Sequence, residues 1–138
     1  MLVLSMQTDY AILALGHLWR ASSDRLVTAR EISARYGIPP ELMAKILQRL
    51  AREGLVRATP GAAGGYALLA RLDETSVADV LRVIEGPLHI VRCTGDTCCN
   101  IAASCDIIEP MRMVQDRVVA TLEQIRVSEL VCQEVAAS

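Results

Sequence analysis

The stretch from Thr28 to Tyr66 constrains this chain most, because glycine and proline cut it at fixed places. Thr28, followed three residues later by Glu31, has the spacing of a capping box: the hydroxyl accepts a backbone N–H and the carboxylate reaches back. The short helix it opens ends at Gly37, placed for a left-handed C-cap. Pro39 and Pro40 suit the start of a second helix, where a missing N–H costs little. That helix, from about Glu41 to Glu53, sets Met43, Ile46, Leu47 and Leu50 on one stripe, with Lys45, Arg49 and Arg52 outside it. Gly54 stops it. Residues 55–59 then read as a strand, 60–65 as a turn and 66–69 as the returning strand. A phosphate-cradling loop fits poorly, since no helix and no Lys-Ser/Thr follow Gly65.

Two short helices and a hairpin in that order predict a helix-turn-helix with a wing. A first helix over about 5–20 precedes it, with Tyr10, Leu13, Ala14 and Leu18 on its apolar face. After the wing, Ser76 and Asp79 open another helix that ends at Gly86 and Pro87. The longest periodic run comes last. Ile107, Met111, Val114, Val118, Leu122 and Ile125 recur in helical steps, with Pro110 in the first turn. So strong a seam suits packing on its own domain or on a second copy. The expected fold is mainly α with a small β-hairpin wing. Residues 1–88 form a winged helix-turn-helix domain for DNA, 89–106 a cysteine loop, and 107–138 a long dimerisation helix and tail.

The chain has no Phe, one Trp and three Tyr, so its core must be aliphatic. The apolar N-terminus lacks a basic leader region and is broken by Asp9, which predicts a folded helix and a cytoplasmic protein. No segment reaches the length of a membrane span. Charge is uneven: residues 1–71 carry nine Lys and Arg against five Asp and Glu, while residues 72–138 carry five against eleven. A basic first half suggests a polyanion, here double-stranded DNA. Neither His17 nor His89 has a neighbouring Ser, Cys or carboxylate partner in sequence, so enzymatic catalysis and a small-molecule substrate are not expected.

Four of the five cysteines fall within residues 93–105, CTGDTCCNIAASC. Cysteines used for packing are scattered singly. Four in a Gly/Asp/Thr/Asn segment suggest thiolates converging on a soft metal or an iron–sulfur cluster. Zinc, held by three thiolates and a fourth ligand, is a second possibility. Reactive thiols without metal are a third.

These residues together resemble the Rrf-two family of bacterial winged-helix regulators, which includes IscR-like, NsrR-like and RirA-like members. The matching pieces are Thr8-Asp9-Tyr10-Ala11, residues 29–38 and 50–56, Gly64-Gly65-Tyr66, residues 80–88, the cysteine segment and residues 128–131. They run in order over nearly the whole chain. The resemblance implies a homodimeric DNA-binding regulator, most simply a repressor, whose operator affinity follows an iron–sulfur cluster. Iron supply, redox state or nitric oxide would be the signal. It implies cluster ligation by Cys93, Cys99 and Cys105, with Cys98 as the alternative to Cys99. The first set gives C-x5-C-x5-C and the second C-x4-C-x6-C. The histidine of IscR-like members falls at Ile108, which cannot ligate. Asp9 matches the aspartate of NsrR-like members that ligates across the dimer, which favours a 4Fe–4S cluster, with 2Fe–2S as the alternative. On the DNA side the resemblance points to Thr28, Pro40, Glu41, Leu42, Ala44, Lys45, Arg49 and Arg57. Pro60 stands where many members carry a wing arginine, and Arg57 is its substitute. The rival within the family is a cluster-free thiol sensor. The rival outside it is a protein-binding adaptor or small electron carrier on the same fold.

Overall fold

The computed structural model describes residues 5–21, 24–91 and 101–131. Helix α1 (Met6–Arg20) opens on Ser5, whose side chain accepts from the backbone N–H of Thr8. It buries Ala11, Ala14, Leu15 and Leu18. Leu13, expected on that face, is 38% exposed. It sits two residues from both Ala11 and Leu15, about 200° around the helix.

Helix α2 (Ala29–Tyr36) has the expected caps. Thr28 accepts from Glu31 N at 3.1 Å, and Gly37 is left-handed at φ 68, ψ 28. The capping box is nevertheless only half formed. The Glu31 carboxylate accepts from Arg25 at 2.9 and 3.1 Å, because a guanidinium is a charged, two-point donor that outcompetes a backbone N–H. Helix α3 (Pro40–Arg52) starts on the prolines and buries Met43, Ile46, Leu47 and Leu50 as its sequence predicts.

Strands β1 (Val56–Thr59) and β2 (Gly65–Leu68) pair antiparallel, with Val56 opposite Leu68 and Thr59 opposite Gly65. Val27 extends this wing by exchanging two backbone bonds with Tyr66, at 2.9 and 2.7 Å. A β-carbon on Gly64 would lie 2.0 Å from the carbonyl oxygen of Thr59, so the wing turn admits only glycine there.

Helix α4 (Val77–Glu85) carries a complete capping box, Ser76 with Asp79. A short 3-10 turn, Ala102–Ser104, precedes the long helix α5 (Ile108–Gln124), with Pro110 in its first turn. Ile125, expected to continue the seam, lies beyond the helix in extended backbone. There its carbonyl accepts from Val77 N at 2.9 Å, and Val127 N donates to Thr75 O at 2.8 Å. Pairing with residues 75–77 turns the chain back before the periodic pattern is spent. Helix α6 (Val127–Val131) then packs on α1, with Val127 and Val131 in the core. The last helix therefore closes the same core that the first one opens. That core is aliphatic: its fully buried large side chains are Leu, Ile, Val and Met, with Thr8. No described helix is long and apolar enough to cross a membrane.

Candidate functional site

Two groups hold the residues picked out from the sequence. The first is the outer face of α3. Glu41, Lys45, Gln48 and Arg52 are exposed and recur at helical spacing, opposite the buried stripe of Met43, Ile46, Leu47 and Leu50. Pro40 is exposed at the helix start, while Leu42 and Ala44 are half-buried on its flanks. Thr28 is exposed at the N-terminus of α2, and Arg57 is exposed on β1. This face offers charged groups for phosphates and, in Glu41 and Gln48, groups that match base edges. Gln48 is missing from the sequence expectation. Its signal was its place in the same stripe, seven residues beyond Glu41.

Arg49 behaves differently from its neighbours. Its Nη1 donates to the carbonyl oxygen of Ile84 at 2.8 Å. Ile84 lies in the last turn of α4, where carbonyls lack a partner within the helix. Arg49 thus caps α4 from α3, and the cation also sits favourably at the negative end of that helix.

The second group is the set of expected cluster ligands, which the described residues do not bring together. Cys93, Cys98 and Cys99 lie outside the described residues. Cys105 is a half-buried free thiol that follows the 3-10 turn and leads into α5. Asp9 is exposed in the first turn of α1, beside the buried Thr8, whose hydroxyl donates to Glu85 at 3.3 Å. Ile108 is half-buried and offers no donor. Among the described residues no three His, Cys, Asp or Glu side chains converge on a metal position. The donor set fits an iron–sulfur cluster in kind: three soft cysteine sulfurs, one of them on the half-buried Cys105, and a carboxylate on the exposed Asp9. His17 is engaged elsewhere, 3.5 Å from the Tyr36 hydroxyl and 3.7 Å from Glu31, and His89 is exposed.

One further residue had no sequence signal. Gln115 is the buried residue of α5. Its side-chain oxygen accepts from the N–H groups of Ile90 and Val91, and its nitrogen donates to Leu88 O. A polar residue beside an apolar seam reads as outward-facing. Here it turns inward because irregular backbone needs hydrogen-bond partners.

The chain's relatives agree with this architecture. The family model described as Rrf2, iron-dependent transcriptional regulator, matches residues 4–133. An HTH-type transcriptional repressor of Streptomyces coelicolor, NsrR, is 31% identical over 128 residues, which cover 90% of this chain and 86% of that protein. A Mycobacterium tuberculosis protein named as an HTH-type transcriptional regulator is 41% identical over 92 residues. That alignment takes in 67% of this chain and spans 57% of the relative's length. Among solved structures, CymR, the global cysteine regulator of B. subtilis, superimposes with a TM-score of 0.74 at 23% identity, covering 96% of this chain and 98% of that one. IscR of T. potens gives a TM-score of 0.70 at 22% identity, covering 99% and 93%. At these identities the structures speak to the fold, and the winged helix with a long following helix is common to them. The chain belongs to the Rrf2 family of transcriptional regulators.

Proposed function

We propose that this protein is a dimeric DNA-binding repressor whose operator affinity is controlled by an iron–sulfur cluster. The observation that carries the reading is the alignment with the S. coelicolor repressor. At 90% of this chain, it takes in both α3 and the cysteine segment. The exposed stripe of α3 supports a major-groove role. Lys45 and Arg52 neutralise phosphates, Glu41 and Gln48 reach base edges, and Thr28 and Arg57 flank them. The seam of α5 supports dimerisation: Ile107 at its start is 57% exposed and Val114 45%, Met111, Val118 and Leu122 are half-buried, and Met113 beside the seam is 56% exposed. A dimer also presents two α3 helices to two half-sites.

Cys93, Cys105 and one of Cys99 or Cys98 would hold the cluster, with Asp9 of the partner subunit as the fourth ligand. A 4Fe–4S cluster suits three thiolates and a carboxylate. When bound, the group supplies iron that can be lost, oxidised or nitrosylated. This chain's own part is to supply the donors and to fix both flanks of the segment, through Gln115 before it and the start of α5 after it. A cluster-free thiol sensor is the second reading, favoured by the adjacent pair Cys98 and Cys99, which one cluster does not need.

Iron, sulfide and absorbance on anaerobically purified protein test the ligand set. Cys93→Ser and Cys105→Ser should each abolish the visible absorption and most of the iron. Cys98→Ser and Cys99→Ser should differ, with only one of them losing the cluster. Iron-free wild-type protein with oxidation-sensitive DNA binding would favour the thiol reading.

A further inference from the structure

Residues 86–91 form neither helix nor strand, yet both ends of this part of the chain are tied down. At its start, Arg49 of α3, the proposed recognition helix, holds the carbonyl of Ile84 at 2.8 Å. At its end, Gln115 of α5 bonds Ile90 N at 2.5 Å, Val91 N at 3.1 Å and Leu88 O at 2.6 Å. Between them Gly86, at φ 84 and ψ −157, and Pro87, with φ fixed by its ring, bend the chain away from α4. Cys93 is the second residue past Val91.

The Gln115 contact sets a register. One amide oxygen takes two consecutive N–H groups, and the amide nitrogen takes a carbonyl two residues before the first of them. Because all three partners are backbone groups, a slide of one residue would offer Gln115 an equivalent set, His89 N, Ile90 N and Pro87 O, whereas an intermediate position leaves buried polar groups short of partners. Such a contact has discrete positions, which is what a switch needs.

This inference rests on the cluster-dependent reading above. We infer that Gln115 is a positioning residue that sets the register of residues 88–91 on α5 according to the state of the cysteine segment, and that Arg49 passes the shift from the end of α4 to the recognition helix. The two residues lie on different helices, α3 and α5, joined here through the chain from Ile84 to Val91 and also through α4, which packs on both and pairs Arg82 with Glu123 of α5 at 2.6 Å. The ordinary role of Arg49, a phosphate contact, would change DNA affinity equally in both states. A relay role changes the ratio between them.

The test uses the full chain, purified anaerobically, and a DNA duplex selected from a random library by the wild-type protein. Affinity is measured before and after cluster removal by ferricyanide and chelator. Wild type should show a ratio of about ten-fold or more between the two states. Gln115→Met keeps the volume and loses all three bonds. It should hold its iron while the ratio falls below about three-fold. Gln115→Glu keeps the two acceptor bonds, loses the donor to Leu88, and should fall between. Arg49→Met should weaken DNA binding in both states and also collapse the ratio. In that variant the Ile90 and Val91 amides should still change their hydrogen-exchange rates on cluster removal, because the Gln115 end is intact. Iron retained with a full wild-type ratio in Gln115→Met overturns the inference and leaves the cluster reading standing. Should Gln115→Met lose its iron or fail to fold, Arg49→Met decides: a full ratio there overturns the relay, and a collapsed one supports it. A wild-type ratio near one overturns the cluster reading and the relay with it.

Discussion

A β-carbon on Gly16 of α1 would stand 2.9 Å from Cγ1 of Val131 and 3.2 Å from its Cβ, so α6 seats on α1 with no room for a side chain between them. Valine is stiff at χ1 and cannot rotate away cheaply. Ala is the better helix former by roughly 0.8–1 kcal/mol, yet overpacking costs about 1–3 kcal/mol, so Gly16→Ala should be destabilising on balance. Adding Val131→Ala should restore part of that loss. Urea unfolding of the single and double variants checks it; an additive double variant would mean the two residues are not in contact.

Ser76 and Thr28 separate a full cap from a half cap. Ser76 accepts from Asp79 N at 3.0 Å while Asp79 accepts from Ser76 N at 2.9 Å. Thr28 has only its own half. Ser76→Ala should therefore cost more, about 1–2 kcal/mol against about 0.5–1 for Thr28→Ala. Thermal or urea unfolding gives the order, and Glu31→Gln should cost little through the cap, since its carboxylate serves Arg25.

Gly64→Ala should rebuild or break the wing, because the clashing partner, Thr59 O, is backbone and cannot swing aside. A loss of about 2 kcal/mol or more is expected. Amide shifts concentrated in residues 56–68 would locate it, and an unperturbed wing would show that the turn relaxes easily.

Lys45 and Gln48 should differ in kind on DNA. Lys45→Ala should weaken binding to all sequences and lower the salt slope by about 1. Gln48→Ala should relax preference at one base position by about 1–3 kcal/mol and leave the slope alone. Binding to a selected duplex and to its single-base variants, across a salt series, separates them.

The chain's punctuation made much of this fold legible. Gly37, Pro39, Pro40, Gly54 and the glycines of the wing turn each sit where backbone geometry leaves few choices, and the elements between them follow. What stayed hidden depends on partners distant in sequence. Glu31 has a capping-box spacing, but Arg25 takes its carboxylate. Ile125 continues the period of α5, but pairing with residues 75–77 ends the helix first. Gln115 and Arg49 look like ordinary surface residues, and only the fold brings them to the backbone at Leu88 and Ile84. The exposed α3 stripe was half legible: Lys45 is explicit in the sequence, while Gln48 needed the helix phase.

The most direct test is the affinity of one anaerobic preparation for its selected duplex, measured with the iron–sulfur cluster present and again after its removal. Iron and sulfide should co-purify in stoichiometric amounts, and removal of the cluster should change the dissociation constant by about ten-fold or more. Equal affinity in the two states, or a colourless iron-free protein that binds its operator fully, would contradict control by a cluster.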